Sequence, residues 1–390
     1  MAKRGADSHS ERAPLLIIVP PNATFFLSHR LALAIGAKAA GFDVMLACPD
    51  GPNIERLAEL GIEHHKIPFG RGTRAPGADL MSVVALTRLF ASRRPDVVHL
   101  VTAKPALFGG WAAALTRRPA LIAITGLGFV FSQRTLLARL LRRALLTGYR
   151  TALDRGDNHV IFQNTDDQRE LQRAGLMRRA RSSIVPGSGA DLAAITRQPL
   201  PEGRPVVALP ARLLRDKGVI EFVEAARRLR EHPTRPIFRL IGDPDPGNPT
   251  NIPQAVIDGW VREGVVEWTG FQADINGFLS GAHLVVLPSY REGFPKTLID
   301  AAAAGRAAVT TDVPGCRDAV VAGETGLIVP VRDASALTEA IASLLDDPER
   351  IERMGAAARR HAEAHFAIER VVEHHVGVYR ALAEGASATR

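Results

Sequence analysis

Short apolar runs recur along this chain, and each is followed by a polar loop and then by apolar residues at helical spacing. The first run, Leu15–Val19, precedes a loop with two prolines and Asn22, and a helix is predicted over residues 28–40, ending at Gly41. The same unit recurs at the predicted strands Val44–Ala47, Val97–Val101 and Leu121–Thr125. Buried strands that alternate with helices favour a parallel sheet with helices on both faces. An α/β fold is therefore predicted.

The strand-helix alternation begins again after a segment rich in proline and glycine, residues 184–210. The predicted strands are then Val206–Leu209, Phe238–Ile241, Val265–Trp268, Leu284–Leu287 and Ala307–Thr310, with helices over Val219–Leu229 and Lys296–Ala304. A further two or three amphipathic helices are predicted from Ala336 to Leu382. A chain of 390 residues suits two domains, and the pattern predicts two Rossmann-like halves in tandem.

Composition and charge limit the class of protein. No apolar run approaches the ~20 residues of a membrane-spanning helix, and the polar residues 1–12 are unlike a secretory signal, so a cytoplasmic protein is expected. The cysteines, Cys48 and Cys316, are far apart and lack metal-ligand spacing, which indicates reduced thiols. The net charge of +8 and pI near 10 favour an anionic partner, either nucleic acid, acidic lipid or a phosphate-bearing substrate.

The segment from Pro288 to Gly305 is the most informative part of the sequence. A predicted strand runs into a loop with Glu292 and Gly293, and Pro295 suits the first turn of the following helix. Open α/β sheets bind ligands at the carboxyl ends of their strands, so this loop directs a carboxylate and backbone N–H groups towards a ligand crevice. Asp300 lies in an otherwise apolar stretch of the helix, where an unpaired charge is costly. Two acids are thus predicted to grip one extended ligand.

Two cations follow the first strand of the second half. Arg212 is predicted at the strand end and Lys217 just before a helix that opens with Gly218. Positive side chains beside a helix N-terminus suit a diphosphate. On their own, however, an arginine and a lysine in a loop are more often solvated.

The motif Glu292-Gly293-Phe294, with a second acid, Asp300, separated from Glu292 by seven residues, resembles glycosyltransferase family four, whose members have the GT-B fold. Further matches are Ile241–Asp243, Thr269–Phe271 and Gly323–Val329, and residues 21–34, 99–110 and 124–131 resemble the subgroup that elongates polyprenyl-diphosphate-linked sugars in O-antigen, capsule or exopolysaccharide assembly. The second acid is usually glutamate, so Asp300 is one methylene shorter. Many members also have histidine where this chain has Thr125.

The resemblance implies two Rossmann-like domains that face each other across a cleft: residues 1–195 bind the acceptor, residues 196–368 bind a nucleotide sugar, and residues 369–390 form a helix that crosses back to the first domain. It implies a retaining, metal-independent transferase without cofactor, in which Glu292, Arg212 and Lys217 are catalytic. The implied donor contacts are Asp300, Gly293, Phe294, Pro295, Lys296, Thr297, Leu298, Gly242 and Phe271. The implied acceptor contacts are Asn22, Phe25, His29, Arg30, Lys104, Thr125 and Gly126.

The donor is expected to be a hexose or N-acetylhexosamine on UDP, by family frequency alone, and the acceptor a polyprenyl-diphosphate-linked saccharide. Residues 133–155 interleave leucine with arginine, including Arg134, Arg139, Arg142 and Arg143. Such a helix suits either a core with a solvated face or the surface of an anionic membrane. Peripheral attachment to the inner face of the cytoplasmic membrane is the expectation.

Three alternatives stay open at this point. The chain could be a GT-B enzyme on a soluble acceptor, such as a starch-type synthase, or a sugar-nucleotide epimerase. A basic nucleic-acid-binding protein is the third, although no zinc spacing, helix-turn-helix pattern or interleaved aromatic and basic strand supports it. No nucleic-acid partner is therefore expected. Phe25, Phe26, His29 and His99 could equally be ordinary structural residues of the first domain.

Overall fold

The computed structural model of the chain describes residues 12–70, 76–126, 146–272 and 274–388, and these form two parallel sheets. The first sheet has the order β3-β2-β1-β4-β5-β6-β7. Its strands are β1 (Leu15–Val19), β2 (Asp43–Cys48), β3 (Glu63–Lys66), β4 (Val97–Val101), β5 (Ala120–Ile124), β6 (His159–Phe162) and β7 (Arg181–Ile184). Its helices are α1 (Ala23–His29), α2 (Leu31–Ala39), α3 (Glu55–Glu59), α4 (Pro76–Arg93), α5 (Gly110–Thr116), α6 (146–153) and α7 (Thr165–Arg173), with a π-helix at Pro105–Gly109.

The second sheet has the order β10-β9-β8-β11-β12-β13. Its strands are β8 (Val206–Pro210), β9 (Ile237–Ile241), β10 (Glu267–Trp268), β11 (Leu284–Leu287), β12 (Ala307–Thr311) and β13 (Gly326–Val329). The helices that follow are α8 (Val219–Arg228), α9 (Gln254–Arg262), α10 (Ile275–Ser280), α11 (Lys296–Ala303), α12 (Cys316–Ala319), α13 (Ala334–Leu345), α14 (Pro348–His365) and α15 (Ile368–Ala388), with a 3₁₀ turn at Arg215–Lys217.

The central strands are apolar throughout because helices cover both faces of each sheet. Every residue of β1, β4, β5, β8 and β11 is buried. A strand of a parallel sheet with two covered faces reads as a continuous apolar run rather than an alternating one. The predicted fold class, two Rossmann-like α/β domains, is confirmed.

The last helix, α15, packs on the first sheet although it follows the second sheet in the sequence. It lies against α2 and contacts β4 and β5. Val371, Val376 and Tyr379 share a core cluster with residues of β1, and the Tyr379 hydroxyl lies 2.8 Å from His99 Nδ1 in β4. The first sheet thus obtains part of its core from the far end of the chain.

Two segments connect the sheets, and they run side by side. Residues 185–205 lead from β7 to β8, and residues 366–367 lead from α14 to α15. Ala190 N–H donates to Phe366 O at 2.8 Å, and Ile368 N–H donates to Ala190 O at 2.9 Å. The domain boundaries at residues 195 and 368 stay predictions, since nothing in the fold fixes the division to a residue.

Several predicted elements need correction. The single helix predicted over residues 28–40 is two helices: the first is capped by Asn22 and begins at Ala23, five residues before the predicted start, and it is interrupted at Arg30, which has φ −133°. Four strands were not predicted. The strands β3 and β7, with sequences EHHK and RSSI, lie at the edges of the sheet and carry no apolar run, whereas β6 and β13, with sequences HVIF and GLIV, are short apolar runs that were not recognised.

Most of the predicted leucine-arginine helix, including Arg134, Arg139, Arg142 and Arg143, lies outside the described residues. Among the helices that are described, none has the length and apolar character needed to cross a membrane.

Candidate active site

The predicted donor residues lie where the strand order of the second sheet reverses. The chain proceeds outward from β8 to β9 and β10, then returns to β11 on the other side of β8. Arg212 and Lys217 follow β8, and Glu292 follows β11. The crevice between two such strands, at their carboxyl ends, is the ligand position of open α/β folds. The topology therefore brings Lys217 into contact with Glu292, 75 residues further along the chain, and places Arg212 at the end of the same strand as Lys217.

Glu292 is held by two side chains of its own domain. Its carboxylate forms an ion pair with Lys217 and accepts a hydrogen bond from Ser289 Oγ at 2.7 Å. The Glu292 side chain is 12% exposed and that of Lys217 is 21% exposed. The Glu292 carboxylate is therefore mostly shielded from water, and the positive charge of Lys217 balances its negative charge. Both contacts are made to its Oε1 atom.

Asp300 is buried in α11, as its apolar neighbours predict. The residue is 3% exposed, and Lys296 Nζ, one turn earlier, donates to Asp300 Oδ1 at 2.7 Å. Burial raises the pKa of Asp300, while the charge and hydrogen bond of Lys296 oppose that rise. The pair places an acid and a base together at the start of the helix that follows Glu292.

The turn after β8 requires glycine at position 218. Gly218 has φ +73°, and a Cβ there would lie 2.1 Å from Pro288 O. This close approach brings the β8 turn against the end of β11 and so places Lys217 beside Glu292. Arg212 is more open: its side chain is 60% exposed and its Nη1 donates to Asp245 Oδ2 at 2.8 Å.

Gly293 is the point at which the loop of the second domain contacts the first domain. A Cβ on Gly293 would lie 2.0 Å from Thr125 O and 2.8 Å from Gln163 Oε1. The Asn164 side-chain amide donates to Gly293 O at 2.8 Å. Thr125 and Gly126, predicted on the acceptor side, therefore face the donor loop directly.

The other predicted acceptor residues occupy the corresponding reversal of the first sheet, between β1 and β4. Asn22 caps α1 by accepting from Phe25 N–H. The rings of Phe25 and His29 stack with centroids 4.5 Å apart. Burial lowers the pKa of His29 to about 4, aided by the positive charges of Arg30 and Lys296. His29 and Lys296 therefore approach each other across the two domains.

Two predicted acceptor residues are engaged within the first domain. Arg30 is only 3% exposed, near His99 and Tyr379, and its Nη1 donates to His29 O at 3.0 Å. Lys104 Nζ donates to the Asp79 carboxylate at 2.8 and 3.0 Å. Arg30 is thus not brought to the surface of the crevice, because it fills the space beneath the α1–α2 break.

Two family models match the chain over most of its length. The model described as glycosyl transferases group 1 matches residues 193–361, and the model described as glycosyl transferase 4-like domain matches residues 28–188. The chain belongs to glycosyltransferase family four. The first match covers the second sheet and the Glu292 loop, and the second covers most of the first sheet.

Curated relatives of the transferase span nearly its whole length. The N,N'-diacetylbacillosaminyl-diphospho-undecaprenol alpha-1,3-N-acetylgalactosaminyltransferase of Campylobacter jejuni is 26% identical over 348 residues, which cover 83% of this chain and 89% of the relative. The capsular polysaccharide biosynthesis glycosyltransferase CapM of Staphylococcus aureus is 25% identical, with coverage of 88% and 90%. The transferase is therefore similar to enzymes of lipid-linked sugar and polysaccharide synthesis.

Solved structures share the fold of the transferase. Sucrose-phosphate synthase of Thermosynechococcus elongatus has a TM-score of 0.78 at 23% identity and covers 95% of this chain and 100% of its own. HepE of Anabaena, in complex with UDP, has a TM-score of 0.71 at 18% identity, with coverage of 96% and 100%. These likenesses concern the GT-B fold alone.

Some predicted donor residues of the transferase lie with their side chains in the core. Phe294 is 8% exposed and packs edge-on against Phe366, and Leu298 is 1% exposed. Because these two side chains are buried in the core, only the backbone atoms of Phe294 and Leu298 are candidates for donor contacts. Phe271 is 69% exposed, and Gly242 follows β9 with its N–H bonded to Gly270 O at 2.8 Å. The remaining predicted positions at the start of α11 are Pro295 and Thr297, whose hydroxyl donates to Pro210 O at 2.8 Å.

The side chains that contact Glu292 or its loop were not predicted from the sequence, Lys217 excepted. Ser289 lies three residues earlier in the same loop, so its spacing was visible in the sequence. Tyr290 donates through its hydroxyl to Glu221 at 2.6 Å. Asn164 and Asp167 belong to the other domain, and no local pattern linked them to the loop.

Proposed function

We propose that this glycosyltransferase moves a hexose or N-acetylhexosamine, with retention of configuration, from a nucleotide-diphosphate sugar to a polyprenyl-diphosphate-linked saccharide. UDP is the proposed nucleotide, and the reaction needs no metal ion or other cofactor. The enzyme acts in the cytoplasm at the inner face of the cytoplasmic membrane, in the synthesis of a surface polysaccharide.

The observation that carries this proposal is the Lys217–Glu292 pair at the carboxyl ends of β8 and β11, with Arg212 at the same strand end. A lysine beside the carboxylate, with an arginine at the same strand end, suits a diphosphate that departs next to a sugar. Arg212 and Lys217 stabilise the charge that develops on the leaving group, and Glu292 positions the sugar. Asp300 binds the ribose of the donor.

In the proposed reaction, the acceptor hydroxyl oxygen bonds to the anomeric carbon while the bond from that carbon to the diphosphate breaks. Both events occur on one face of the sugar, so the configuration is retained. The departing phosphate oxygen accepts the proton of the acceptor hydroxyl. The charge that appears on the diphosphate is met by preorganised cations, which is the largest source of rate in many enzymes.

The site assignment is tested by substitutions at charged groups. Glu292→Gln and Arg212→Ala are each expected to lower kcat by at least ~100-fold, because each removes charge complementarity at the reacting centre. Arg215→Ala is the matched control, because Arg215 is an exposed arginine of the same turn, and its kcat should equal that of the parent. Near-parent turnover in Glu292→Gln would remove Glu292 from the site.

Asp300→Ala is expected to raise the donor KM more than it lowers kcat, since ribose contacts are made in both the ground and the transition state. A lost kcat with unchanged donor KM would contradict the ribose role.

The donor is tested by thermal shifts with UDP, GDP, ADP and their sugar conjugates, because a ligand that binds only the folded state raises its apparent stability. UDP and UDP-sugars should give the largest shifts. Turnover that persists in EDTA is the expected result for metal independence. A strict requirement for added Mg²⁺ or Mn²⁺ would contradict that part of the proposal.

The acceptor is tested with a labelled polyprenyl-diphosphate saccharide against free sugars and glucans. The similarity to the C. jejuni relative, which acts on a diphospho-undecaprenol sugar, supports the lipid-linked acceptor, and the similarity to CapM supports a role in polysaccharide synthesis. Transfer only to free sugars would favour a soluble-acceptor GT-B enzyme, and interconversion of the donor without transfer would favour an epimerase. Tight, salt-dependent retardation of nucleic acid in a gel would support the third alternative.

Membrane attachment is tested by co-sedimentation with vesicles. Binding should increase with anionic lipid and decrease at high salt, since ions screen the attraction. The variant with Arg139, Arg142 and Arg143 changed to Glu should bind less. Equal sedimentation of the variant and the parent would remove this segment from the membrane contact and leave the transferase assignment in place.

A further inference from the structure

The loop that carries Glu292 is held from the opposite domain by the N-terminus of α7. Asn164, the residue before α7, donates its side-chain amide to Gly293 O at 2.8 Å. Asn164 is 2% exposed and Gly293 is buried. This buried hydrogen bond joins residues 129 positions apart and connects the two sheets next to Glu292.

The orientation of the Asn164 side chain is fixed by a second role. Its Oδ1 accepts from Asp167 N–H at 2.7 Å and so caps α7, and its Nδ2 also lies 3.1 Å from Asp167 Oδ2. Both ends of the amide are therefore engaged, and the cap directs the N–H group towards the loop. The cap and the contact with Gly293 use different atoms, so they can be separated by substitution.

The residue on the other side of Glu292 is held by the same turn of α7. Arg291 Nη2 donates to Asp167 Oδ1 at 3.2 Å and lies 3.5 Å from Glu170 Oε2. The Asp167 side chain is only 2% exposed and that of Arg291 is 33% exposed, so the carboxylate of this pair is shielded from solvent. Both neighbours of Glu292 in the sequence are thus attached to the first domain.

The side chain of Glu292 is oriented by Ser289 and Lys217, which belong to the second domain. Its backbone is positioned from the first domain through Arg291 and Gly293. A displacement of about 1 Å at a reacting group can lower a rate by about 100-fold. Contacts that only joined the domains could lie anywhere along the cleft, whereas these flank one carboxylate.

We propose that Asn164 and Asp167 are positioning residues for Glu292, so that the donor site is complete only when α7 of the first domain contacts the donor loop. The inference rests on the function proposed above for Glu292. It assigns to the acceptor-side domain a direct part in placing the group that steadies the donor sugar.

The first test is Asn164→Ser, which keeps a side-chain oxygen able to cap α7 but removes the amide that donates to Gly293. We expect kcat, measured as UDP release from the UDP-sugar that the parent turns over, to decrease 10- to 100-fold. The donor KM and the affinity for UDP should stay within about twofold of the parent, since binding groups in the second domain are unchanged. Hydrogen exchange in residues 289–295 should be faster.

A matched control is Asp347→Ser, because Asp347 caps α14 by accepting from Arg350 N–H at 2.9 Å, and its partners Arg350 and Arg353 lie outside the Glu292 loop. Its kcat should equal that of the parent even if its melting temperature changes. Loss of kcat in this control, in step with the loss in Asn164→Ser, would show that helix capping in general is responsible and would overturn the inference.

The second test is a double-mutant cycle between Asp167→Asn and Arg291→Gln. If the two side chains position the loop together, the double variant loses about as much kcat as either single variant. Arg291→Lys should recover part of the loss of Arg291→Gln, because it restores the positive charge beside Asp167. Additive losses in the cycle would contradict joint positioning.

The role of Glu292 in the reaction and the role of Asn164 in positioning it are distinguished by different outcomes. If Glu292→Gln keeps near-parent kcat, the proposed function of the site is wrong whatever Asn164→Ser does. If Glu292→Gln is inactive and Asn164→Ser has parental kcat and parental exchange in residues 289–295, only the positioning role is overturned.

Discussion

Alanine at position 293 tests the contact between the two domains more directly than any change at a charged residue. Gly293 does not have the left-handed backbone that only glycine adopts readily, so alanine introduces no conformational strain there. What it introduces is a methyl group 2.0 Å from Thr125 O. Ordinary contact begins at 3.4 Å, so the loop and the first domain must separate by about 1.4 Å. Misplacement by about 1 Å is enough to lower a rate about 100-fold.

We therefore expect Gly293→Ala to lower kcat by about 100-fold while each domain keeps its fold. The assay measures UDP release at saturating concentrations of donor and acceptor. The affinity for UDP and the melting temperature are measured on the same variant. Gly259→Ala in α9 is the control, because nothing lies within 4 Å of a Cβ there, and helix propensity predicts a gain of up to about 1 kcal/mol. If Gly293→Ala turns over at the parental rate, the separation of the loop and Thr125 does not limit the reaction and the positional reasoning fails.

Three further results are expected from buried groups. Arg306→Met should lower the free energy of unfolding by about 3 kcal/mol in urea titrations, because the 1% exposed guanidinium donates to three backbone carbonyls; Arg353→Met, at an exposed ion pair, should change it by less than about 1 kcal/mol. The free energy of unfolding should fall as the pH drops from about 6.5 towards 3, because burial lowers the pKa of His375 to about 3 and that of His99 well below its usual value. Only the unfolded chain takes up these protons, so each histidine contributes a loss of about 1.4 kcal/mol per pH unit. The His375→Gln variant should lack the contribution of His375. Both cysteines are buried, with pKa values raised to about 12, so a thiol reagent should label neither until the chain unfolds.

The fold could be predicted from the sequence because its central strands are buried on both faces. Predicted strands such as Val97–Val101 and Leu284–Leu287 agree with β4 and β11 to the residue. The edge strands β3 and β7 could not be found in this way, because one side of an edge strand is open and its residues are polar. The break at Arg30 was missed because helical spacing of apolar residues continues across it.

The proposed donor residues could be named from the sequence because most of them lie in two short loops with recognisable spacing. Asn164 and Asp167 could not be named in this way, because the role proposed for them depends on how the two domains meet. A polar pair at a helix start is an ordinary cap when only its own segment is considered. The contacts of this pair with Gly293 and Arg291 join residues far apart in the sequence and are seen only in the folded structure.

The side-by-side pairing of the two connecting segments at Ala190 and Ile368 has a consequence for how such enzymes can be recombined. A chimera that takes the first sheet and its helices from one relative and the second sheet and its helices from another cannot be made with a single junction, because α15 packs on the first sheet but follows the second sheet in the sequence. Two junctions are needed, and they would lie next to each other in the folded chain. By the same geometry, a protease that cuts residues 185–205 once would leave the halves tethered through α14 and α15, with the helix still seated on the first sheet.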